Sequence, residues 1–288
     1  MLTHYFTLQS LAHSFNERLH NATLQEIFTQ QRNELLISCS TGTDACTLCV
    51  SCDPRMNYIF LRNPIARAKK NSVDLFTEAI SKCIESISVH PFDRILQIKL
   101  EDGRMLCYQP FGMMANVILL DQHLVISDAF KRKKDLMGKT FEVTRKENSL
   151  KALVSVDAFK EALREEGTKN LFTAMKNTMP GVGSTIAREV LHRSRIDEKT
   201  PARTLGREEI EEIHRRLGEV LKELTSPRPT LYHRGGAPRI FSLIPLQHFT
   251  GSRAETFSDV NDAVRTYVIQ SFRTQAIDAE KNLLLSKI

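Results

Sequence analysis

The chain has 288 residues, of which 41% are hydrophobic and 26% charged, and its formal net charge is +6 at pH 7. These values are typical of a globular protein with a core large enough for about two domains. No apolar run approaches the roughly 20 residues that a membrane-spanning helix needs. The amino terminus also lacks the basic start and apolar segment of a secretory signal. We therefore expect a cytoplasmic protein that does not enter a membrane.

The first 90 residues predict a helix, a series of short strands and a second helix. Apolar residues from Leu8 to Leu19 recur at helical spacing, and Pro64 ends the strands that follow. From Ser72 to Ile87 the apolar residues again return every three or four positions, which predicts the second helix. The four strands predicted between the helices are Leu24 to Phe28, Glu34 to Cys39, Ala45 to Ser51 and Asn57 to Leu61.

The next stretch predicts an antiparallel meander of four strands. Apolar and polar residues alternate from Ile95 to Leu100, and Glu101-Asp102-Gly103 carries the signal for a hairpin turn. Two further apolar runs, 117–120 and 124–126, are separated by a polar turn. We expect these strands at the centre of the first domain.

An adjacent acid and base, Asp93 and Arg94, open the first strand of this meander. Neighbouring side chains on a strand point to opposite faces, so the two cannot simply pair, and one of them faces outward. Taken alone, the two residues are either a solvated charge pair at a strand edge or part of a ligand site.

Positive charge is concentrated after the meander. Between Lys131 and Lys151 the chain has eight basic and three acidic residues, whereas Met1 to Phe60 has three basic and five acidic. A clustered basic surface is typical of a polyanion partner, because each neutralised phosphate releases condensed counterions. The run Lys131-Arg132-Lys133-Lys134 is therefore either a phosphate-binding segment or an incidental solvated loop.

Cys46, Cys49 and Cys52 have the spacing of iron–sulfur ligands, but the fourth cysteine before a proline is missing from the motif. They also lie in a predicted strand, on which Cys46 and Cys52 share one face while Cys49 points to the other. We interpret them as small buried side chains in a reducing cytosol. The sequence thus predicts no cofactor and no metal site.

The second half of the chain predicts helices. Ser155 or Asp157 caps the first, and another runs from Asn170 to Met179. The turn 180–183, Pro-Gly-Val-Gly, exposes backbone N–H groups before a helix that Ser184 caps, and such a turn can hold a phosphate. The alternative is a glycine-rich joint without a ligand. The predicted phosphate contacts are Gly181, Gly183, Arg188 and Arg195, with Arg188, His192 and Arg195 on one helix face.

A long amphipathic helix from Gly206 to Thr225, a hairpin at 233–236 and a helical tail from Phe257 follow. The predicted fold class is α+β, with an antiparallel β-sandwich and flanking helices, then a helical domain, then a hairpin and a helix. The predicted domains are 1–151, 152–226 and 227–288.

The pattern from Asp93-Arg94 through Gly112 and Asn116 to Asp128 resembles the amino-terminal domain of the NFACT family. This family includes the RqcH-type and NEMF-type factors of ribosome-associated quality control, often named fibronectin-binding proteins. The segment from Phe257 to Val264 resembles the part that leads into that family's long coiled coil. Since the chain ends shortly afterwards, we expect a member that is either truncated or naturally short.

By this resemblance the chain is the RNA-binding, amino-terminal part of a quality-control factor. Family members bind large ribosomal subunits obstructed by peptidyl-tRNA and recruit a charged tRNA, alanyl-tRNA in bacteria, to tail the stalled nascent chain. The resemblance implies that Asp93, Arg94 and Asn116 engage tRNA, and the charge pattern adds Lys131, Arg132 and Lys133 as phosphate contacts. The family's Glu-Leu-x-Gly-Arg-x-Ser-Asn pattern has lost its acid, arginine and serine at 109–116, so a paralogue with altered RNA contacts remains an alternative.

A sandwich followed by the Pro-Gly-Val-Gly turn also resembles formamidopyrimidine DNA glycosylases, with their helix-two-turns-helix, to which NFACT domains are themselves similar. Those enzymes use an amino-terminal proline as nucleophile and an adjacent glutamate as acid, where this chain has Leu2 and Thr3. We therefore expect no glycosylase activity. The alternatives are a catalytically inactive DNA-binding or repair protein on this scaffold, and a fibronectin adhesin, which the missing export signal disfavours.

Overall fold

A computed structural model of the chain describes residues 2–91, 93–143, 155–179, 182–234 and 237–285. The chain divides into two compact units, which we call the sandwich unit (Leu2–Thr144 with Asp259–Ile288) and the helical unit (Arg145–Ser258). The fold class is α+β, as the sequence predicts. The division differs from the predicted domains, because residues 227–258 belong to the helical unit and the terminal helix belongs to the sandwich unit.

Both units contain helices, strands and a few short 3₁₀ turns. The sandwich unit begins with α1 (Tyr5–Leu19), β1 (Thr23–Gln31), β2 (Glu34–Ser40), β3 (Ala45–Asp53), β4 (Met56–Arg62), β5 (Val73–Asp74), β6 (Ile84–Val89), β7 (Leu96–Leu100), β8 (Met105–Gln109), β9 (Asn116–Leu120), β10 (Ile126–Ala129) and α2 (Lys133–Leu136). The helical unit follows with α3 (Val156–Glu165), α4 (Leu171–Thr178), α5 (Gly183–Ser194), α6 (Arg207–Thr225), β11 (Thr230–Arg234), β12 (Ala237–Ser242) and β13 (Arg253–Thr256), and α7 (Val260–Leu285) returns to the sandwich unit.

Two five-stranded antiparallel sheets make up the sandwich unit. Their strand orders are β4-β3-β2-β1-β5 and β10-β9-β8-β7-β6, so neighbouring strands are consecutive in the chain except at β5. The buried Tyr108 of the second sheet donates its hydroxyl to the carbonyl of Ser51 in the first, 2.9 Å away, so the sheets pack against each other. The predicted meander is confirmed, and Gly103 in its first turn has φ 84, a conformation that glycine adopts without strain.

The helix predicted from Ser72 to Ile87 is wrong, because this segment forms β5, a 3₁₀ turn and β6. Phe76 and Ser81 have positive φ angles of 51° and 64°, which a continuous helix does not allow. Ile84 and Ile87 are both buried although they are three residues apart, since the register of β6 against β7 shifts between them. An extra residue at a bulge therefore imitates helical spacing.

The second helix that flanks the sandwich is α7, which packs along the edge strand β4. The buried Asn261 accepts a hydrogen bond from the backbone N–H of Leu61 at 2.6 Å and donates one to the Leu61 carbonyl at 3.0 Å. These bonds satisfy backbone groups that an edge strand otherwise leaves open to pairing with another chain.

One predicted helix cap of the helical unit is confirmed and one is wrong. Ser155 accepts a hydrogen bond from a backbone N–H 3.2 Å away at the start of α3. Asn170, predicted as the first residue of the next helix, instead caps α4 by accepting a hydrogen bond from a backbone N–H at 2.9 Å. Ser184 lies inside α5 instead of capping it, because the helix already begins at Gly183, directly after the buried Val182. The apolar face of this helix is buried: Ile186, Ala187, Val190 and Leu191.

The rest of the helical unit follows the predicted order, with one addition. The long helix α6 begins after Gly206, whose backbone N–H donates to Glu209 Oε2 at 2.8 Å. The predicted hairpin is formed by β11 and β12, and a third strand, β13, pairs with β11 on the other side. Over the described part of the chain, none of the helices has the length and apolar character required to cross a membrane.

Candidate nucleic-acid interface

Four connections meet at one end of the sandwich unit, which we call the basic end and define as residues 53–57, 93–95, 110–115 and 130–134. In a meander of antiparallel strands, alternate connections lie at the same end of the sheet. The β6–β7 turn, the β8–β9 connection and the segment after β10 are therefore neighbours. The backbone N–H of Gly112 donates to Asn57 Oδ1 at 2.8 Å, which ties them to the β3–β4 turn of the first sheet.

Asp93 and Arg94 lie in the turn between β6 and β7, just before the strand that the sequence predicts them to open. Asp93 Oδ1 accepts a hydrogen bond from the backbone N–H of Arg94 at 2.7 Å, so the carboxylate holds the turn. The Arg94 side chain is exposed, and its Cζ lies 6.0 Å from the centre of the Phe111 ring. Asp93 therefore shapes the turn while Arg94 presents its charge outward.

Asn116 is buried, and its amide is occupied within the unit. Its Oδ1 accepts hydrogen bonds from the backbone N–H groups of Lys131 and Val117, at 2.8 and 2.9 Å. Its Nδ2 donates to the Lys131 carbonyl at 2.8 Å. The side chain thus fixes the start of the basic run to β9, and the contact of Asn116 with tRNA stays a prediction.

The predicted basic run is anchored at its first residue and exposed after it. The ammonium of Lys131 donates to the carbonyl of Cys52 in the opposite sheet. Arg132 and Lys133 are half-exposed, and each has one acidic neighbour: Asp135 at 3.4 Å from Arg132 Nε and Asp128 at 3.0 Å from Lys133 Nζ. Such exposed pairs contribute little to stability, so phosphates can compete for both cations.

An apolar patch separates Arg94 from Arg132 on this surface. Met113 and Met114 are 83% and 57% exposed on the 3₁₀ turn between β8 and β9, beside Phe111. Arg132 Nη1 lies 3.9 Å from the Met114 sulfur. Exposed polarizable and aromatic side chains between cations are suited to packing against nucleobases. In the sequence these positions appear only as departures from the family's motif. Two consecutive methionines in the connection between two strands could have indicated an exposed apolar patch.

Arg55 also lies at the basic end and was not predicted. Its guanidinium is exposed, and its Nε lies 3.2 Å from Asp53 Oδ1. Hydrogen bonds from the Arg55 side chain and backbone lower the pKa of Asp53 to about 2. Asp53 is therefore ionised at neutral pH and offsets part of the charge of Arg55, which makes Arg94 the less compensated arginine of this surface.

Of the phosphate contacts predicted for the helical unit, the structure describes Gly183, Arg188 and Arg195, and it does not bring these three to one point. Gly181 lies outside the described residues, and Gly183 is the first residue of α5. Arg188 is engaged on the helix surface, with Nε 3.0 Å from Glu198 and Cζ 4.5 Å from the centre of the Phe172 ring.

Arg195 is not on the helix face predicted for it. It follows the last residue of α5 and has φ 58, because the helix ends there in a left-handed turn. Its position is twelve residues beyond Gly183, about 18 Å along the axis at 1.5 Å per residue. Arg195 therefore does not share a phosphate with the turn before α5.

The sequence also gave no sign of a buried ionic cluster in the helical unit, which we call the Glu189 cluster. Glu189 Oε1 accepts from Arg193 Nε at 2.6 Å, and Oε2 lies 2.6 Å from His248 Nδ1. Burial alone raises the pKa of Glu189, but hydrogen bonds from His248, from the backbone N–H of Gln247 and from Arg193 lower it to about 2. Arg193 also bonds Glu223 on α6, so the cluster joins two helices and the segment before β13.

Cys46, Cys49 and Cys52 lie along β3 and are free thiols. Residues three apart on a strand are separated by about 10 Å, too far to converge on one cluster. Burial raises the pKa of Cys49 and that of Cys52 to about 12, so both thiols are protonated at neutral pH. Among the described residues, no group of three or more His, Cys, Asp or Glu side chains is arranged to hold a metal ion.

The fold and the basic end define an α+β protein with an exposed cationic surface of the kind that binds polyanions. A family model described as NFACT N-terminal and middle domains matches residues 4–288. The chain therefore belongs to the NFACT family, which confirms the resemblance seen in its sequence. A comparison with curated proteins gave no match.

Two solved structures show the same fold. The fibrinogen-binding protein from Staphylococcus aureus has a TM-score of 0.72 at 18% identity, over 91% of this chain and 97% of its own. The amino-terminal part of the fibronectin/fibrinogen-binding protein from Streptococcus suis has a TM-score of 0.64 at 18% identity, over 92% and 98%. The MutM (Fpg) protein from Thermus thermophilus is more distant, with a TM-score of 0.39 at 18% identity, over 77% and 76%.

Proposed function

We propose that this chain is the RNA-binding module of a ribosome-associated quality-control factor and that it binds tRNA through the basic end. One observation carries the proposal. In a member of the NFACT family, Arg94 and Arg132 lie on either side of the exposed connection 110–115, although they are far apart in sequence.

Each side chain of the basic end has a distinct role in this proposal. Arg94, Arg132 and Lys133 contact phosphates, and the planar guanidinium groups can bind them with two parallel hydrogen bonds. Phe111 and the two methionines pack against bases. Asp93, Asn116 and Lys131 do not contact RNA in this scheme, since their hydrogen bonds hold the connections in place. A binding surface of this kind gives affinity that falls steeply with salt.

We also propose that the module is not an enzyme. Leu2 and Thr3 offer neither a secondary amine nor a carboxylate at the positions of the glycosylase nucleophile and acid. By family membership, the larger partner is a large ribosomal subunit obstructed by peptidyl-tRNA, in the cytoplasm, and the charged tRNA is alanyl-tRNA in the bacterial case. The proposed outcome is carboxy-terminal tailing of the stalled nascent chain.

A salt titration of binding tests the proposal with four probes: tRNA, a duplex RNA of similar size, duplex DNA with an abasic lesion, and fibronectin. The lesion duplex tests the DNA-binding alternative, and fibronectin tests the property named for the streptococcal relative. The variants are Arg94→Ala and Arg132→Ala. Arg104→Ala is the matched control, because Arg104 lies in the β7–β8 turn at the opposite end of the same sheet.

We expect tRNA to bind best, and each basic-end variant to weaken tRNA binding and to lower the salt slope by about 0.7 to 0.9 for each phosphate that is no longer neutralised. The control variant should bind as the wild type does. Equal affinity for all nucleic acids, unchanged in both variants, would contradict tRNA binding at this surface. Preference for the lesion duplex would favour the DNA-binding alternative, and saturable binding of fibronectin alone would favour the adhesin.

A further inference from the structure

A second cationic pocket lies in the sandwich unit, between the end of β4 and the first half of α7. Its volume is about 370 Å³. Three arginines line it, one from the strand end and two from the helix, with polar side chains and one isoleucine beside them. The lining residues are Arg62, Asn63, Arg265, Thr266, Ile269, Gln270 and Arg273.

The positive charge of this pocket is only partly compensated. Arg265 Nη2 lies 3.1 Å from Asp262, one turn earlier on the helix. Within the described ranges, no carboxylate lines the pocket, and neither Arg62 nor Arg273 forms an ion pair. Glu34 lies near enough to offset part of the charge of Arg62, and its carboxylate also accepts a hydrogen bond from the Tyr58 hydroxyl at 3.1 Å. Three guanidinium groups around one cavity repel one another unless an anion lies between them.

The side chain of Gln270 adds a need for a hydrogen-bond donor in the ligand. The Gln270 side-chain oxygen is buried and, among the residues that the structure describes, has no hydrogen-bond partner. A buried acceptor that stays unpaired costs free energy, so a ligand that fits here supplies a donor. A phosphodiester offers acceptors only, whereas the 2′-hydroxyl of a ribose can donate. Arginines together with one unpaired acceptor therefore match a ribose phosphate better than a bare phosphate.

We infer that this pocket binds a ribose phosphate of an RNA backbone, with Arg62 and Arg273 on the phosphate and Gln270 accepting from the 2′-hydroxyl. This inference rests on the proposed RNA-binding function and adds a second RNA site to it. Strand β4 begins at the basic end and ends at the pocket, about 20 Å away at 3.3 Å per residue. One RNA molecule can therefore reach both sites on the same unit.

The test uses tRNA, a short single-stranded oligouridylate and the oligodeoxyuridylate of the same length, each in a salt titration. Arg62→Ala with Arg273→Ala removes the two cations that hold the phosphate, and Gln270→Met removes the acceptor while keeping a similar shape. Arg207→Ala is the control, because Arg207 is an exposed arginine of the helical unit. Thermal unfolding verifies that every variant is folded, which we expect because Arg62 and Arg273 are exposed.

The double variant should weaken binding to both oligonucleotides and lower the salt slope by about 0.7 for each phosphate that is no longer neutralised. Gln270→Met should leave the salt slope and the DNA affinity unchanged and reduce the preference for RNA over DNA by roughly 2- to 10-fold. Binding by the double variant that equals the wild type overturns the inference. Unchanged RNA preference in Gln270→Met overturns the role given to the ribose.

Parallel measurements on Arg94→Ala separate this inference from the proposed function. If Arg94→Ala weakens tRNA binding and the pocket variants do not, the pocket is not an RNA site and the basic end remains one. If the pocket variants alone weaken tRNA binding, the pocket is supported and the basic end is not the tRNA site.

Discussion

Arg94 at the basic end and Arg193 in the Glu189 cluster show two opposite uses of the same side chain. The Arg193 side chain is only 8% exposed, and it bonds Glu189, Glu223 and the carbonyl of Pro245. Arg94 is exposed and, in the part of the chain that the structure describes, has no ion pair, while the neighbouring Asp93 carboxylate accepts a backbone hydrogen bond. One guanidinium is used to hold the fold, and the other is available to a partner.

The difference shows that available charge depends on where the neighbouring carboxylates point. Asp93 is adjacent to Arg94 in sequence yet uses an oxygen to hold a turn, whereas Glu189 reaches Arg193 one helical turn away. A buried pair such as Glu189 and Arg193 is costly to break, whereas an exposed cation such as Arg94 can be removed at little cost in stability. The comparison therefore predicts large stability effects in one region and large binding effects in the other.

The largest effect is expected from Glu189→Ala. Removal of this buried carboxylate leaves His248 without its partner and leaves Arg193 with Glu223 as its remaining carboxylate. This should lower the free energy of unfolding by at most about 3–5 kcal/mol. Urea unfolding, with hydrogen exchange in α5 as the local probe, measures the change. Glu211→Ala is the control, since Glu211 pairs with Arg207 on the surface of α6 and should cost at most about 0.5 kcal/mol. Equal stability of the two variants would contradict the role assigned to the Glu189 cluster.

A smaller decrease in stability is expected from Asn116→Ala. The backbone N–H and carbonyl of Lys131 are left without their partners, at a cost of about 1–3 kcal/mol for the unpaired groups. Because the basic run is then less well positioned, tRNA affinity should also fall. Gln122→Ala removes an exposed amide from the next turn and should change neither quantity. If the Asn116→Ala protein is destabilised but binds tRNA with wild-type affinity, Asn116 supports the fold and does not position the tRNA site.

Acid should weaken the Glu189 cluster within a defined range of pH. The pKa of Glu189 is about 2 in the folded chain and, from the usual value for glutamate, about 4.3 in the unfolded chain. Its contribution is therefore fully present above about pH 4.5 and is lost as the pH falls towards 2. The difference in unfolding free energy between wild type and Glu189→Gln should be constant from neutral pH to about 5 and then shrink. A difference that does not change down to pH 3 would contradict the lowered pKa.

The smallest effect on stability is expected at the basic end. Met113→Ser with Met114→Ser removes exposed side chains and should change the free energy of unfolding by no more than about 0.5 kcal/mol. If these side chains pack against bases, tRNA affinity should fall by about 1–3 kcal/mol for each base that is no longer packed against a side chain. Thermal unfolding and the tRNA titration measure the two quantities. A clear decrease in stability with unchanged affinity would place these methionines in the fold and not in the interface.

Local patterns account for the elements that the sequence predicted correctly. Alternation from Ile95 to Leu100 and the turn at Gly103 depend only on the pleat of a strand and the conformational freedom of glycine. Caps such as Ser155 likewise act over three residues. The segment from Ser72 to Ile87 was misread because a bulge in β6 changes the spacing of buried residues, and a bulge is decided by pairing with β7.

Only part of the candidate site could be predicted, because some of its contacts join residues that are distant in the sequence. Arg94, Arg132 and Lys133 were predicted from charge clusters and a family pattern that are visible in the chain, and all three are exposed. The hydrogen bonds of Asn116 were not predicted, because its partner, the Lys131 backbone, is fifteen residues away across two strands. The Glu189 cluster and the pocket at Arg62 were missed since their members come from distant segments.

The sequence by itself determined the α+β class, the order of most strands and helices, the family and the excess of positive charge, because each depends on residues that are close together in the chain or on composition. Only the tertiary structure decided which cations are free. That outcome depends on which partners surround each cation: Asp93 accepts a hydrogen bond from the backbone N–H of Arg94, Glu189 contacts Arg193 and His248, and α7 brings two arginines to Arg62. Desolvation and hydrogen bonding at those positions, and not the count of charges, separate a structural arginine from one that is available to RNA.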